Sequence, residues 1–294
     1  MAISSDDSDE GQSGASFLAA LLASQKRAIE SVSAGAEPIA RAAEAIAARL
    51  QSGGRLIYLG AGSSALIALQ DGAELPGTFG LPREKIVFLV AGGLSKIADI
   101  DSAAEDDIAG AGADVAGLGP LERDIVIAVS ASGSTPYTLA RAKAARERGA
   151  ILVALANRAS SPLLHIADHP ILLDSGPEAL HGSTRLAAGT AQKCALGLIS
   201  TLAHARLGHV YRGHMVNVRA ENDKLRKRAV HIVASIAGID EDAASASLSR
   251  AKGDVKAAIL IAAGAGSREN AQALIDEAGG HIGPALTRIQ RGAA

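Results

Sequence analysis

"RDIVIAVSASGSTPYTLARAKAARERG", Arg123–Gly149, decides the fold. The apolar run Ile125–Val129 is short and rich in β-branched residues, which reads as a buried strand. Ser130, Ser132, Ser134 and Thr135 then crowd around Gly133. Pro136 opens a helix, where its fixed φ and missing N–H are tolerated. The same strand, turn and helix recur in "RLIYLGAGSSALIALQDGAEL" (Arg55–Leu75), with Gly60, Gly62, Ser63 and Ser64 in the turn. "KIVFLVAGG" (Lys85–Gly93), "AILVALANR" (Ala150–Arg158) and "HPILLDS" (His169–Ser175) read as further strands. Strands apolar on both faces, alternating with helices, imply a parallel sheet covered on both sides. The expected class is α/β: a three-layer αβα sandwich with a parallel sheet and helical N- and C-terminal extensions.

Outward from this core, Ala15–Leu50 has helical spacing, with a second helix starting near Pro38 and ending at Gly53–Gly54. The acidic stretch Ala98–Gly117 reads as helix. No strand is expected after Gly208, and Gly238–Gly264 reads as two short helices around Gly253–Asp254. Residues 1–14 are polar and acidic and are expected to form a mobile tail. The α/β domain is expected over 15–220 and a helical region over 221–294.

Composition narrows the function. The chain has 294 residues, 48% of them hydrophobic, with a formal net charge of -2, so no basic field argues for nucleic acid. Aromatic residues make up 2%, too few for base-stacking platforms. The N-terminus lacks the basic and apolar regions of a signal peptide, and no apolar run is long enough to span a membrane. The single cysteine, Cys194, fits a reducing compartment and a buried small hydrophobe. A cytoplasmic protein with no nucleic-acid or membrane partner is expected. His204, His209 and His214 are spaced five apart, which does not share a helix face, so no metal site is expected.

The two glycine–serine turns carry the chemistry. In open α/β sheets, ligands sit beyond the carboxyl ends of the strands. A helix N-terminus there offers free N–H groups to an anion, and small hydroxyls add donors without bulk. Capping explains any one of these serines equally well. Two such loops in one sheet favour a phosphate cradle. "GAGSSA" (Gly60–Ala65) matches the dinucleotide fingerprint only in part, and no P-loop pattern occurs.

The loop "SASGSTPY" (Ser130–Tyr137) resembles the phosphate loop of SIS (sugar isomerase) domains. Three further segments resemble the N-acetylmuramic acid 6-phosphate etherase family within that superfamily: "YLGAGSSALIALQDGAELPGTFG" (Tyr58–Gly80), "AEDD" (Ala104–Asp107) and "GSTRLAAGTAQK" (Gly182–Lys193). "GHMVNVRAENDKLRKRAVHIV" (Gly213–Val233) is similar to the segment that follows the family's core, and Gly238–Leu260 to its small ubiquitin-associated-like helical end. The resemblance covers about residues 15–282.

This resemblance implies a lyase that uses no metal or cofactor. The lactyl ether of N-acetylmuramic acid 6-phosphate is cleaved to N-acetylglucosamine 6-phosphate and D-lactate by elimination and water addition. Glu74 and Glu105 fall on the family's two carboxylates and are the expected catalytic pair. Ser63, Ser64, Ser130, Ser132, Gly133, Ser134 and Thr135 are expected to hold the phosphate and sugar hydroxyls. Glu178, Ser183, Arg185 and Lys193 are expected substrate contacts. A homodimer is implied as well. Three positions depart from the pattern: Leu66, Ser134 and Ala187 stand where the family carries cationic residues. A phosphosugar-binding regulator without turnover and a sugar phosphate isomerase therefore remain as alternatives.

Overall fold

The computed structural model describes residues 14–96, 102–220 and 222–292. The expected tail lies outside them except for Gly14, which begins the first helix. The chain forms two compact units, residues 1–72 with 84–200 and residues 73–83 with 201–294. The cut near 200, rather than 220, has a packing reason. Val216 and Val218 are buried in the core of the second unit.

The first unit begins with helices α1 (Gly14–Ala34) and α2 (Ala36–Gln51). Strand β1 (Leu56–Gly60) leads into α3 (Gly62–Phe79), and β2 (Ile86–Val90) follows. Then come α4 (Ala111–Ala116), β3 (Ile125–Val129), α5 (Pro136–Glu147), β4 (Ile151–Ala156), α6 (Pro162–Ile166), β5 (His169–Leu172) and α7 (Ala187–Arg206). The division between units falls within α3 and α7. All five strands are parallel, in the order β2-β1-β3-β4-β5.

Every residue of β1 and β3 is buried, which is why both read as unbroken apolar runs. On one face, Ile57, Leu59, Val126, Ala128, Leu152 and Ala154 pack with Tyr137 and Ala142 of α5 and Leu163 of α6. On the other, the buried Tyr58 hydroxyl donates to Asp71 of α3 at 2.6 Å, and Ser200 of α7 donates to the second Asp71 oxygen at 3.0 Å. Burial, followed by the Asp71 charge, holds the Tyr58 phenol well above its usual pKa. The three-layer αβα class read from the sequence is the observed one.

Three local expectations are corrected. The acidic stretch is not one helix. Its described part is a 3-10 turn at Ser102–Asp106 followed by the short α4, and 97–101 lie outside the described residues. Cys194 is half-buried rather than buried. Strands do occur after Gly208: β6 (Val210–Tyr211) and β7 (His214–Met215) form an antiparallel pair. Two-residue strands are too short to leave a periodic signal.

The second unit continues with α8 (Asp223–Ala237), α9 (Glu241–Arg250), α10 (Val255–Leu260), α11 (Arg268–Glu277) and α12 (Ile282–Gly292). Side-chain caps set four of these starts. Asn222 accepts from Leu225 N, Asp240 from Ala243 N, Asp254 from Ala257 N and Ser267 from Asn270 N. The expected helix pair around Gly253–Asp254 is α9 and α10.

Inside this unit Lys256 is buried and donates to Gly280 O at 2.8 Å. Burial pulls its amine down to about 8. Burial, and then the charges of Lys256, His204 and His281, hold His209 down to about 3. The unfolded chain therefore binds a proton at His209 that the folded chain refuses. The stability His209 contributes is present above about 6.5 and is lost as pH falls toward 3. Denaturant melts from pH 7 to 4 should show His209→Phe with a shallower loss than wild type. The difference in slope should approach, at most, about 1.4 kcal/mol per pH unit. Parallel curves would refute the assignment.

Candidate active site

The strand order reverses between β1 and β3, which makes their carboxyl ends the place for a ligand. Gly60 pairs with Val129, so the two glycine–serine turns start side by side. In the β3 turn, Ser130 and Thr135 pair through their hydroxyls at 2.9 Å. The Ser130 hydroxyl accepts from Gly133 N at 3.1 Å, and Ser132 Oγ accepts from Ser134 N at 3.2 Å. The hydroxyls thus shape the loop that they line. Gly133 has φ +64°, and a Cβ there would lie 2.3 Å from Ser161 Oγ, so only glycine fits. Ser134 is exposed.

Glu105, from the 3-10 turn Ser102–Asp106, lies against the β1 turn. Gly62 opens α3 with φ +54°, and the Glu105 carboxylate lies over it: a Cβ on Gly62 would come within 2.5 Å of Oε1. Glu105 is half-buried, and burial raises its pKa, with a smaller push from the Asp106 charge. Ser63, next to Gly62 in the chain, is half-buried. Ser64 faces inward and donates to Gln192 of α7 at 3.0 Å. Gln192 donates in turn to Asn157 at 2.9 Å, and Asn157 to Leu173 O at 2.9 Å. Ser64 therefore ties the turn to a buried polar chain.

Arg141, one turn into α5, holds the segment that carries Glu105. Its Nη1 donates to Asp107 O at 2.8 Å, its Nη2 to Asp107 Oδ2 at 3.0 Å, and its Nε to Asp114 Oδ2 at 2.8 Å. The guanidinium also lies 3.7 Å over the Tyr137 ring.

A cavity of about 360 Å³ opens beyond β3, β4 and β5, lined among others by Ser132, Asn157, Arg158, Ser175, His181 and Thr184. Glu178 lines it too, but both of its oxygens accept from helix amides, Ala187 N and Ala188 N, each at 2.9 Å. It caps α7, where a carboxylate is favoured. Ser183 and Lys193 are half-buried and Arg185 is exposed, and none of the three lines this cavity. Glu74 is exposed on α3 and belongs to the second unit. The structure thus gathers Ser130, Ser132, Gly133 and Thr135 in one loop and Ser63 and Ser64 in the other, with Glu105 brought over Gly62 from its own 3-10 turn. Sequence reading missed Asn157 and Arg158. Both follow the carboxyl end of β4, in a turn with no glycine–serine pattern to mark it.

Comparison with known proteins gives the family. Residues 17–157 match the SIS domain family model. The N-acetylmuramic acid 6-phosphate etherase of Deinococcus radiodurans is 46% identical over 90% of this chain and 87% of its own. The etherase of Streptomyces avermitilis is 43% identical over 88% and 84%. The chain belongs to the N-acetylmuramic acid 6-phosphate etherase family. Among solved structures, phosphoheptose isomerase from Neisseria gonorrhoeae aligns with a TM-score of 0.49 at 23% identity, over 66% of this chain and 98% of that one.

The positions that depart from the etherase pattern have distinct settings. Leu66 is 39% exposed on α3. Ala187 is fully buried at the capped start of α7. Ser134 stands at the exposed lip of the β3 loop.

Proposed function

We propose that this chain is an N-acetylmuramic acid 6-phosphate etherase. It would release D-lactate and N-acetylglucosamine 6-phosphate. The observation that carries the reading is Glu105 at the switch point: a half-buried carboxyl of raised pKa lies over one glycine–serine turn, and the phosphate-type loop starts beside it. The C2 proton of the ring-opened sugar is weakly acidic, so its base gains from a pKa closer to neutrality. Glu105 takes this proton. The C3–O bond breaks and leaves a C2–C3 double bond conjugated with the C1 carbonyl. Glu74, assigned by family motif, gives a proton to the departing lactyl oxygen. Water then adds at C3 and a proton returns to C2. No metal or cofactor enters this course. Ser63, Ser130, Ser132, Ser134 and Thr135 hold the phosphate and hydroxyls. Ser64 braces the β1 turn, and Glu178 caps α7 beside the cavity. Ser183, Arg185 and Lys193 complete the substrate contacts.

The protein works in the cytoplasm as a homodimer on this reading. Leu18, Leu22 and Ile29 line up along α1 and are 46% exposed or more, which suits a self-complementary apolar contact. The neutral residues at 66, 134 and 187 favour a second reading, a phosphosugar-binding regulator without turnover. One experiment decides. Wild type incubated with N-acetylmuramic acid 6-phosphate in deuterated water should release D-lactate and leave deuterium at C2 of the product. Saturable phosphosugar binding without lactate would instead establish the regulator. Aldose–ketose interconversion without lactate would establish an isomerase.

A further inference from the structure

The β3 loop offers hydroxyls and amides to a phosphate but no charge, because position 134 is serine. A dianion held in a partly dry cleft needs a cationic partner. A guanidinium stands next to that loop. Arg158 follows Asn157 at the carboxyl end of β4, and Asn157 N donates to Ala131 O at 3.0 Å, which locks the two loops together. Arg158 and Ser132 line the same cavity. The cavity's carboxylate, Glu178, is turned away onto the amides of α7. The other basic side chain in the lining is His181. Arg158 is exposed, and it makes no ion pair among the described residues.

We propose that Arg158 is the cationic partner of the substrate phosphate in this chain, replacing from the β4 loop the charge that Ser134 lacks. The inference rests on the phosphosugar reading of the site but not on turnover. A guanidinium bound to phosphate acts equally on substrate and product, so its loss appears as weaker binding of both.

The test measures KM for N-acetylmuramic acid 6-phosphate by D-lactate release. It also measures Kd by calorimetry for N-acetylglucosamine 6-phosphate and for N-acetylmuramic acid, which lacks the phosphate. Arg158→Ala should raise KM and the Kd of N-acetylglucosamine 6-phosphate together by about 10–100-fold. The Kd of the unphosphorylated sugar should stay unchanged. Arg158→Lys should recover part of the loss, since it keeps the charge without the two-pronged geometry. Unchanged constants for both phosphosugars would overturn the assignment. So would a loss confined to the lactyl-bearing sugars, which would place Arg158 on the lactyl carboxylate. If wild type binds N-acetylglucosamine 6-phosphate through Arg158 but releases no lactate, the etherase reading fails and this one stands.

Discussion

Replacing Glu105 by glutamine is expected to lower kcat for D-lactate release by about 10²–10⁴-fold with little change in KM. Glutamine keeps the shape of the side chain over Gly62 but cannot accept the C2 proton. The setting of the carboxyl makes a second, sharper expectation. Burial and the Asp106 charge raise the Glu105 pKa above the ordinary 4.5. The base must be ionised to act, so activity falls as pH drops through that raised value. The acid limb of kcat/KM, which reports the free enzyme, should therefore lie above 4.5 in wild type. It should move downward in Asp106→Asn, which removes the smaller of the two causes. Kinetic runs across pH 4–8 check both points. A glutamine variant with wild-type kcat, or a limb that ignores Asp106, would remove Glu105 from the chemistry. Gly62→Ala offers an independent check, because its methyl would sit 2.5 Å from Oε1 and must displace the carboxylate.

The parts of this site that were legible in the sequence share one property: their signal is local. Gly60–Ser64 and Ser130–Thr135 each follow an apolar strand directly, so the turn and its ligand chemistry can be read together. The sheet was legible for the same reason, since five short apolar runs sit between helical spacings. What escaped depends on contacts across the chain. Glu178 lies nine residues before the amide of Ala187 that it caps, and nothing in "GPEALHG" separates a cap from a substrate ligand. Ser64 looked like a second phosphate donor, yet its hydroxyl points to Gln192, 128 positions away. Arg158 was passed over because the β4 turn has no glycine–serine pattern. Only the strand order puts that turn beside β3. The acidic stretch around Glu105 reads as helix in sequence, a local preference that tertiary contacts readily override.

Those contacts centre on Arg141, and Arg141→Met is expected to cost about 3 kcal/mol of stability and to lower kcat at least about tenfold. The guanidinium is 2% exposed, whereas Asp107 and Asp114 keep 47% and 44% of their side-chain surface in water. Removing the arginine leaves two carboxylates that water can still solvate. The loss is therefore mainly four hydrogen bonds and the stacking on Tyr137, not a stranded buried charge. Asp107 loses its hold on both carbonyl and carboxylate, and it is two residues from Glu105. With the segment released, Glu105 drifts from Gly62 and becomes better hydrated. Its acid limb should then shift down toward 4.5, as in Asp106→Asn but through lost burial rather than lost repulsion. Stability and catalysis separate here by measurement. Melting curves give the first, and kcat together with the pH profile of kcat/KM well below the melting point give the second. Arg141→Lys should fall between wild type and Met on both scales, since one ammonium cannot span Asp107 and Asp114 as the fork does. If Arg141→Met melts early yet keeps wild-type kcat and an unmoved limb, then Arg141 only holds the fold together. The position of Glu105 would then be fixed by its own contact with the β1 turn.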